Sequence, residues 1–335
     1  MQKAPTGMDL ARELCRQFPD AQNRTLARRL FSENRERFTS LESARNVIRK
    51  VRGQHGNQSR VRAANKIPKP AGKAGWKPSC PPSFAEPWLP VPVDGPVKVL
   101  SLSDVHIPYH DVKAVEAAVA FGRKKVKPDV VLLNGDFCDF YRISRWQQDP
   151  KKRLFKEEID MAREALTWIR SQFLKARIIF KIGNHEQRWD HYLWNNAPMF
   201  SDLENIQLHE VLKFESLGIE RVDDNPIMAG KLPILHGHEI GKGVFSPVNP
   251  ARGAFLRTNH TVLIGHLHRP SSHADANMWH DETMTWSQGC LCDRTPEYAR
   301  INKWALGFAS IDVAADNQFD LSNYRLSSDY EVRSA

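Results

Sequence analysis

Five short motifs, each placed just after an apolar run, constrain this chain more than any other feature. They are Asp104-Val-His106, Gly135-Asp136-Phe-Cys-Asp139, Gly183-Asn184-His185-Glu186, His236-Gly-His238 and Gly265-His266-Leu-His268. The runs before them, residues 97–102, 130–133, 178–182, 232–235 and 261–264, have the length and composition of strands. A fold that serves this order must gather five strand ends. Carboxylate, amide and imidazole groups collected there are what a two-metal hydrolytic site needs.

Residues 112–124 and 154–173 read as amphipathic helices between the strands, and strands dominate the later part at 283–287, 304–313 and 319–326. Alternation followed by a strand-rich end predicts an α/β fold, two sheets packed together and flanked by helices. The catalytic part is expected over residues 97–330.

Ahead of it, residues 8–18, 23–32 and 41–52 carry apolar side chains at helical spacing, among them Leu10 with Leu14, Leu26 with Leu30, and Ala44 with Ile48. Thr39 with Glu42 suggests a capping box for the third helix, and Gly53 a stop. A small all-α, helix-turn-helix-like module over residues 1–65 follows. Residues 66–96 hold nine prolines and no periodic pattern, which predicts a semi-extended linker. Trp76, Phe84 and Trp88 in and near it need a surface to pack on.

Charge separates these parts. Residues 1–77 contain 18 Lys and Arg against 6 Asp and Glu; the remaining 258 contain 30 against 33. The overall excess of +9 therefore belongs to the first segment. With Arg45, Arg49, Lys50 and Arg52 on the third helix and Arg60 and Arg62 beyond it, the expected partner is nucleic acid, gripped at its phosphates. No run of 18 apolar residues suggests a membrane span, and no apolar leader opens the chain. A cytoplasmic protein with five reduced cysteines is the expectation; Cys290 and Cys292 share a spacing that suits strand packing.

The ordered set of motifs resembles the calcineurin-like metallophosphoesterase superfamily, which includes protein phosphatases, cyclic-nucleotide phosphodiesterases and the nuclease of double-strand break repair. With its basic helical module the arrangement also looks like the members encoded by tailed phages and prophages. The resemblance implies a four-layer α/β/β/α sandwich and two divalent metal ions, manganese first, with iron, zinc, nickel or magnesium as alternatives. It implies that Asp104, His106 and His268 bind one metal, that Asn184, His236 and His266 bind the other, and that Asp136 bridges them. His238 remains an alternative ligand to His236, or a residue that orients it. By the same resemblance His185 is not a ligand: it faces the substrate phosphate and protonates the leaving oxygen, with Asp139 as its partner, while a metal-bridging hydroxide attacks in line.

The chain departs from the Ser/Thr phosphatases of that family. Asp139 is followed by Phe140-Tyr141-Arg142 rather than Arg-Gly, and Lys181-Ile182 stands before Gly183 where those enzymes carry arginine. A phosphodiesterase, and with the basic module a nuclease on DNA or RNA, is thus expected, with a phosphomonoesterase as the alternative. A nucleic-acid-binding protein with a merely structural metal site would leave His185 and Asp139 without a purpose. Arg142, Arg145, Arg188 and His238 are candidate substrate contacts, while Trp189, His191 and Trp194 are expected in a cap or core.

Overall fold

The computed structural model describes residues 4–53, 80–145, 154–241, 248–296 and 299–335. The chain divides into two compact units, Met1–Ala85 and Glu86–Ala335.

The first unit contains three helices, α1 (Gly7–Gln17), α2 (Asn23–Glu33) and α3 (Leu41–Val51). Their apolar stripes meet in a small core of Leu14, Leu26, Leu30, Phe38, Ala44 and Ile48, the face that the 3.6-residue period selects. The capping box of α3 is shifted from the expected Thr39 and Glu42. Ser40 is the N-cap, and its side chain and that of Ser43 exchange bonds with each other's backbone. Arg52 is also spent differently than expected: its guanidinium donates to the carbonyls of Phe18, Pro19 and Ala21. It ties α3 to the α1–α2 turn instead of facing a phosphate. Arg60, Arg62 and Trp76 lie outside the described residues.

The second unit is built on two sheets. Strands β1 (Val91–Val93), β2 (Val97–Leu102), β3 (Val130–Asn134), β4 (Arg177–Lys181), β5 (Ile219–Val222), β6 (Ile227–Ala229), β7 (Leu232–Leu235), β8 (Val262–Ile264), β9 (Ser271–Ala276), β10 (Glu282–Ser287), β11 (Gly307–Val313), β12 (Phe319–Leu326) and β13 (Val332–Ser334) occur in that order. One sheet runs β13-β12-β11-β2-β3-β4-β5 and the other β1-β6-β7-β8-β10-β9. Within the first, β2 to β5 are parallel.

Alternation along each central strand shows the layering. Val99, Val130, Leu132 and Ile179 pack with Ile227, Ile234 and Leu263 between the sheets. Leu100, Val131, Leu133 and Ile178 point the other way. They meet the helices α4 (Val112–Phe121) and α5 (Phe155–Gln172) through Ala118, Ala162 and Leu166. Both faces of the first sheet's centre are covered, so β3 and all but the first residue of β4 are buried, and their middles read as unbroken apolar runs. On the outer side of the second sheet α7 (Pro250–Thr258) packs Ala254 on Leu235 and Ile264. Helix, sheet, sheet, helix is the expected sandwich. Each fully buried Leu or Ile here contributes about 1.5 to 3 kcal/mol by leaving water.

The expected linker over residues 66–96 is too long at its end. Val91–Val93 is already an edge strand paired with β6, and Pro92 is tolerated there because an edge strand can spare one donor. Trp88 donates its indole N–H to the Asp224 carbonyl at 2.8 Å but stays 60% exposed, and Phe84 is 96% exposed. Phe84 therefore does not find the packing partner expected of it. The strand expected over 304–313 begins only at Gly307. No helix among the described residues is long and apolar enough to cross a membrane.

Candidate metal centre

The loops after β2 and β3 are stitched together by their backbones. Asp104 N–H donates to the Gly135 carbonyl, His106 N–H to Asp136, and Ile107 N–H to Phe137. The next loops close on this pair so tightly that side chains are excluded at the motif glycines. A Cβ on Gly183 would meet Asp136 Oδ1, and one on Gly135, which has φ +79°, would meet the His236 ring. Asp104, His106, Asp136, His266 and His268 themselves hold left-handed φ between 51° and 64°. Such a backbone costs about 1 kcal/mol or more for each non-glycine residue. Five together mark a place where geometry is maintained against local preference.

Each aspartate is held by one oxygen and offers the other. Asp104 Oδ2 accepts from the Ser103 hydroxyl at 2.5 Å and from His266 N–H at 2.9 Å, while Oδ1 lies 3.1 Å from His268 Nε2. Asp136 Oδ1 accepts from His185 N–H at 2.9 Å. Its Oδ2 lies 3.2 Å from His236 Nε2 and 3.9 Å from His106 Nε2, from His266 Nδ1 and from His185 Nε2. A single oxygen of Asp136, rather than both, thus faces the two halves of the cluster. His106 Nε2 and His268 Nε2 converge to 3.2 Å.

Among the described residues, Asp104 Oδ1, Asn184 Oδ1, His236 Nε2 and His266 Nδ1 are buried with no hydrogen-bond partner. Two of them have an opposite charge close by, Asp104 Oδ1 at 3.1 Å from His268 Nε2 and His236 Nε2 at 3.2 Å from Asp136 Oδ2. Buried polar atoms are normally satisfied; of these, His236 Nε2 and His266 Nδ1 converge on Asp136 Oδ2, a grouping that fits a cation. The donor set of carboxylate, amide and imidazole suits borderline divalent ions. Asp104, His106 and Asp136, and separately Asp136, His236 and His266, each bring ligand atoms within 4.8 Å of one another.

The electrostatics are mutual. Burial opposes every charge here, but His268 outweighs it to hold Asp104 at about 2. Against the same penalty, Asp136 raises His236 to about 10 and Asp104 raises His268 to about 9. Burial also opposes protonation of His185, and the carboxylates of Asp136 and Asp139 overcome it and raise its pKa.

His236 and His238 separate clearly. His236 is fully buried, with Nδ1 2.7 Å from the Asn134 carbonyl, which turns Nε2 inward. His238 instead stands 3.7 Å from Asp224 and 3.5 Å from Glu239, on the wall of an adjoining cleft.

Asp139 serves two histidines. Its Oδ1 is 3.0 Å from His106 Nδ1 and 3.3 Å from His185 Nδ1, and its backbone carbonyl is 2.9 Å from the latter. The carboxylate bond expected for His185 is therefore the longer of the two. The helix α6 (Gln187–Asn196) follows directly, and from its first turn Arg188 donates to the Asp139 carbonyl at 2.7 Å and lies 2.8 Å from His185 Nε2. Arg188 thus packs on that pair, while Arg142 and Arg145 line a groove beside it. Trp189 is core, donating to the Ile206 carbonyl, whereas Trp194 is 60% exposed and His191 lines the same groove, so of the cap or core places expected for them the core is Trp189's.

Several residues carry the site without having been assigned a role from sequence. Glu186 accepts from the N–H groups of Asp136, Cys138 and Gly183 at 2.8 to 2.9 Å. Burial and then Asp136 push its carboxyl up to about 7. Lys181, fully buried, reaches Glu239 at 2.9 Å and the carbonyls of Asp223 and Asn225; Glu239 in turn accepts from His236 and Gly237 N–H. Cys292 is not in a strand: it is bridged to His110 and sets its sulfur 3.8 Å from His268 Nδ1. Glu186 was visible in its motif; the others had no signal beyond being polar or thiol residues in apolar surroundings.

A family model described as calcineurin-like phosphoesterase matches residues 97–305. The chain is similar to the Gene 54 protein of Mycobacterium phage D29, with 26% identity over 177 residues, 51% of this chain and 69% of that protein. Among solved structures it is similar to a single mutant of Vps29 from Entamoeba histolytica, at 12% identity and a TM-score of 0.37, covering 71% of this chain and 98% of the other. It is also similar to the cold-active protein-tyrosine phosphatase of a psychrophile Shewanella sp., at 12% identity and a TM-score of 0.29, covering 70% and 82%.

Proposed function

The chain belongs to the calcineurin-like phosphoesterase family, and from that premise we propose that it is a metal-dependent phosphodiesterase that cleaves nucleic acid. One observation carries the choice of substrate: 18 basic against 6 acidic residues in the first 77, beside a catalytic part with a slight acidic excess. A separate polycation suits a polyanion too large for the catalytic cleft alone. The helical module of residues 1–65 is its proposed contact.

Asp104, His106 and His268 would hold one cation and Asn184, His236 and His266 the other, with Asp136 shared by both sites. Manganese is the first candidate metal, and iron, zinc, nickel or magnesium are the alternatives. Two such ions supply charge neutralisation at the phosphate and a nucleophile derived from water. The chain's own part is proton handling. His185 keeps Nδ1 on Asp139, which leaves Nε2 to protonate the leaving oxygen, and its raised pKa suits that task. The guanidinium of Arg188 can only donate to Nε2, so a substrate phosphate that draws Arg188 onto itself would free that nitrogen for its proton.

The test is a panel of bis-p-nitrophenyl phosphate, p-nitrophenyl phosphate, DNA and RNA, with one divalent metal at a time. Preference for the diester, cleavage of nucleic acid, and about a thousandfold loss in Asp136→Asn are expected. Rapid monoester turnover with no nucleic acid cleaved would replace this proposal with a phosphomonoesterase. Removing residues 1–66 should weaken nucleic-acid binding and flatten its salt dependence while sparing the chromogenic diester.

A further inference from the structure

We propose that the groove lined by Arg142, Arg145, Arg188, His191, Tyr192 and Asn195 holds the leaving strand of a single-stranded polynucleotide, its phosphates on the arginines and one base stacked on Tyr192. This rests on the nuclease proposal above and adds where the strand runs.

The groove starts at the metal centre. Asn184, whose Oδ1 is buried with no hydrogen-bond partner, lines it and also lines the cleft on the other side, where His266 stands. Its main wall is one face of α6. Residues 188, 191, 192 and 195 follow the i, i+3, i+4, i+7 spacing that usually carries an apolar stripe. Here that stripe reads Arg, His, Tyr, Asn, while Trp189 and Leu193 turn to the core. Three guanidiniums line the groove, and among the described residues no carboxylate does. That concentration of positive charge lies in the part of the chain with an acidic excess.

The opposite cleft shares Arg145 and Asn184 and adds Arg257, His238 and His266, but Ile240, Ala254, Ile264 and Leu267 break up its wall, whereas three guanidiniums line the α6 side. A chain of phosphates is therefore better accommodated on the α6 side. His185 immediately precedes α6 and Arg188 touches its Nε2. The group that protonates the leaving oxygen thus stands at the mouth of this groove, which assigns the groove to the departing strand. Tyr192, 45% exposed, lies in the groove lining, where an unstacked base of a single strand can stack on it.

The experiment uses the full, metal-loaded chain and reads the ratio of kcat/KM on a labelled single-stranded oligonucleotide to kcat/KM on bis-p-nitrophenyl phosphate. Tyr192→Ala should lower that ratio about tenfold, the equivalent of one stacked base, and Tyr192→Phe should restore it. Arg142→Ala should lower it as well and reduce the slope of log KM against log salt by about 0.7. An unchanged ratio in both variants, or a duplex cleaved in preference to the single strand, would overturn the groove assignment and leave the nuclease proposal standing. A wild-type chain that cleaves no polynucleotide would instead remove the nuclease proposal itself.

Discussion

In the helical module several ion pairs sit one turn apart on helix surfaces. Arg12 meets Asp9, Arg16 meets Glu13 and Arg29 meets Glu33, with every partner about half exposed or more. At the strand ends Asp104, Asp136 and Asp139 are at most 2% exposed and share their charge with histidines drawn from several loops. Surface pairs of the first kind contribute little to stability, so the module's charge is available to a partner. Buried charge of the second kind is costly to assemble, and a fold that keeps it is keeping chemistry.

The comparison breaks first at His185. His185→Ala should cost about a hundred- to ten-thousandfold in kcat on a substrate with a basic leaving group. The loss should be much smaller on a nitrophenyl ester, whose leaving group needs no proton. Equal losses on both would remove the acid role.

Next is Lys181→Met, which strips the buried cation from Glu239 and should destabilise the catalytic unit by about 3 to 5 kcal/mol in denaturant unfolding. Burial opposes the Glu239 charge, but Lys181 wins and holds its pKa at about 2, below the ordinary 4.5. This stabilisation is present above pH 4.5 and fades as pH falls toward 2. In the variant the acid-side fall in stability should be blunted.

A third outcome concerns cations and protons competing for one cluster. His236 and His268 have pKa values raised to about 10 and 9. Their imidazolium–carboxylate attraction is complete below the usual 6.5 and lost as pH rises through those values. Metal ions must displace the same protons. The gap in Tm between metal-loaded and metal-stripped protein should therefore widen from pH 6 to pH 9. A gap that stays constant would separate these histidines from metal binding.

The smallest effect lies in the module. Ser40→Ala should lower α3 stability by about 1 kcal/mol, read by hydrogen exchange in the full chain. Thr39→Ala should stay within about 0.5 kcal/mol.

That last pair shows what sequence could and could not reveal. The strands were legible because a central parallel strand needs apolar residues on both faces, and Val130–Asn134 or Arg177–Lys181 scarcely differs from its expected bounds. The motifs were legible because polar groups stand directly after those runs. The fine structure was not: Ser40 and Thr39 are both competent caps, and only the entry angle of the chain chooses between them. β1 hid among prolines because three residues on a sheet edge need little signal. The Lys181–Glu239 pair and the thiol of Cys292 beside His268 depend on distant segments meeting, which no local spacing announces.

The left-handed backbone at Asp104, His106, Asp136, His266 and His268 has an evolutionary and practical corollary. Asparagine or glycine settles into that conformation with less strain than histidine does. Replacing His268 there would relax its loop by about 1 kcal/mol, but it would leave the buried Asp104 carboxylate without the imidazole 3.1 Å away, a cost of about 3 to 5 kcal/mol. Inactivation is thus an uphill path, and a silenced copy should melt before its working parent.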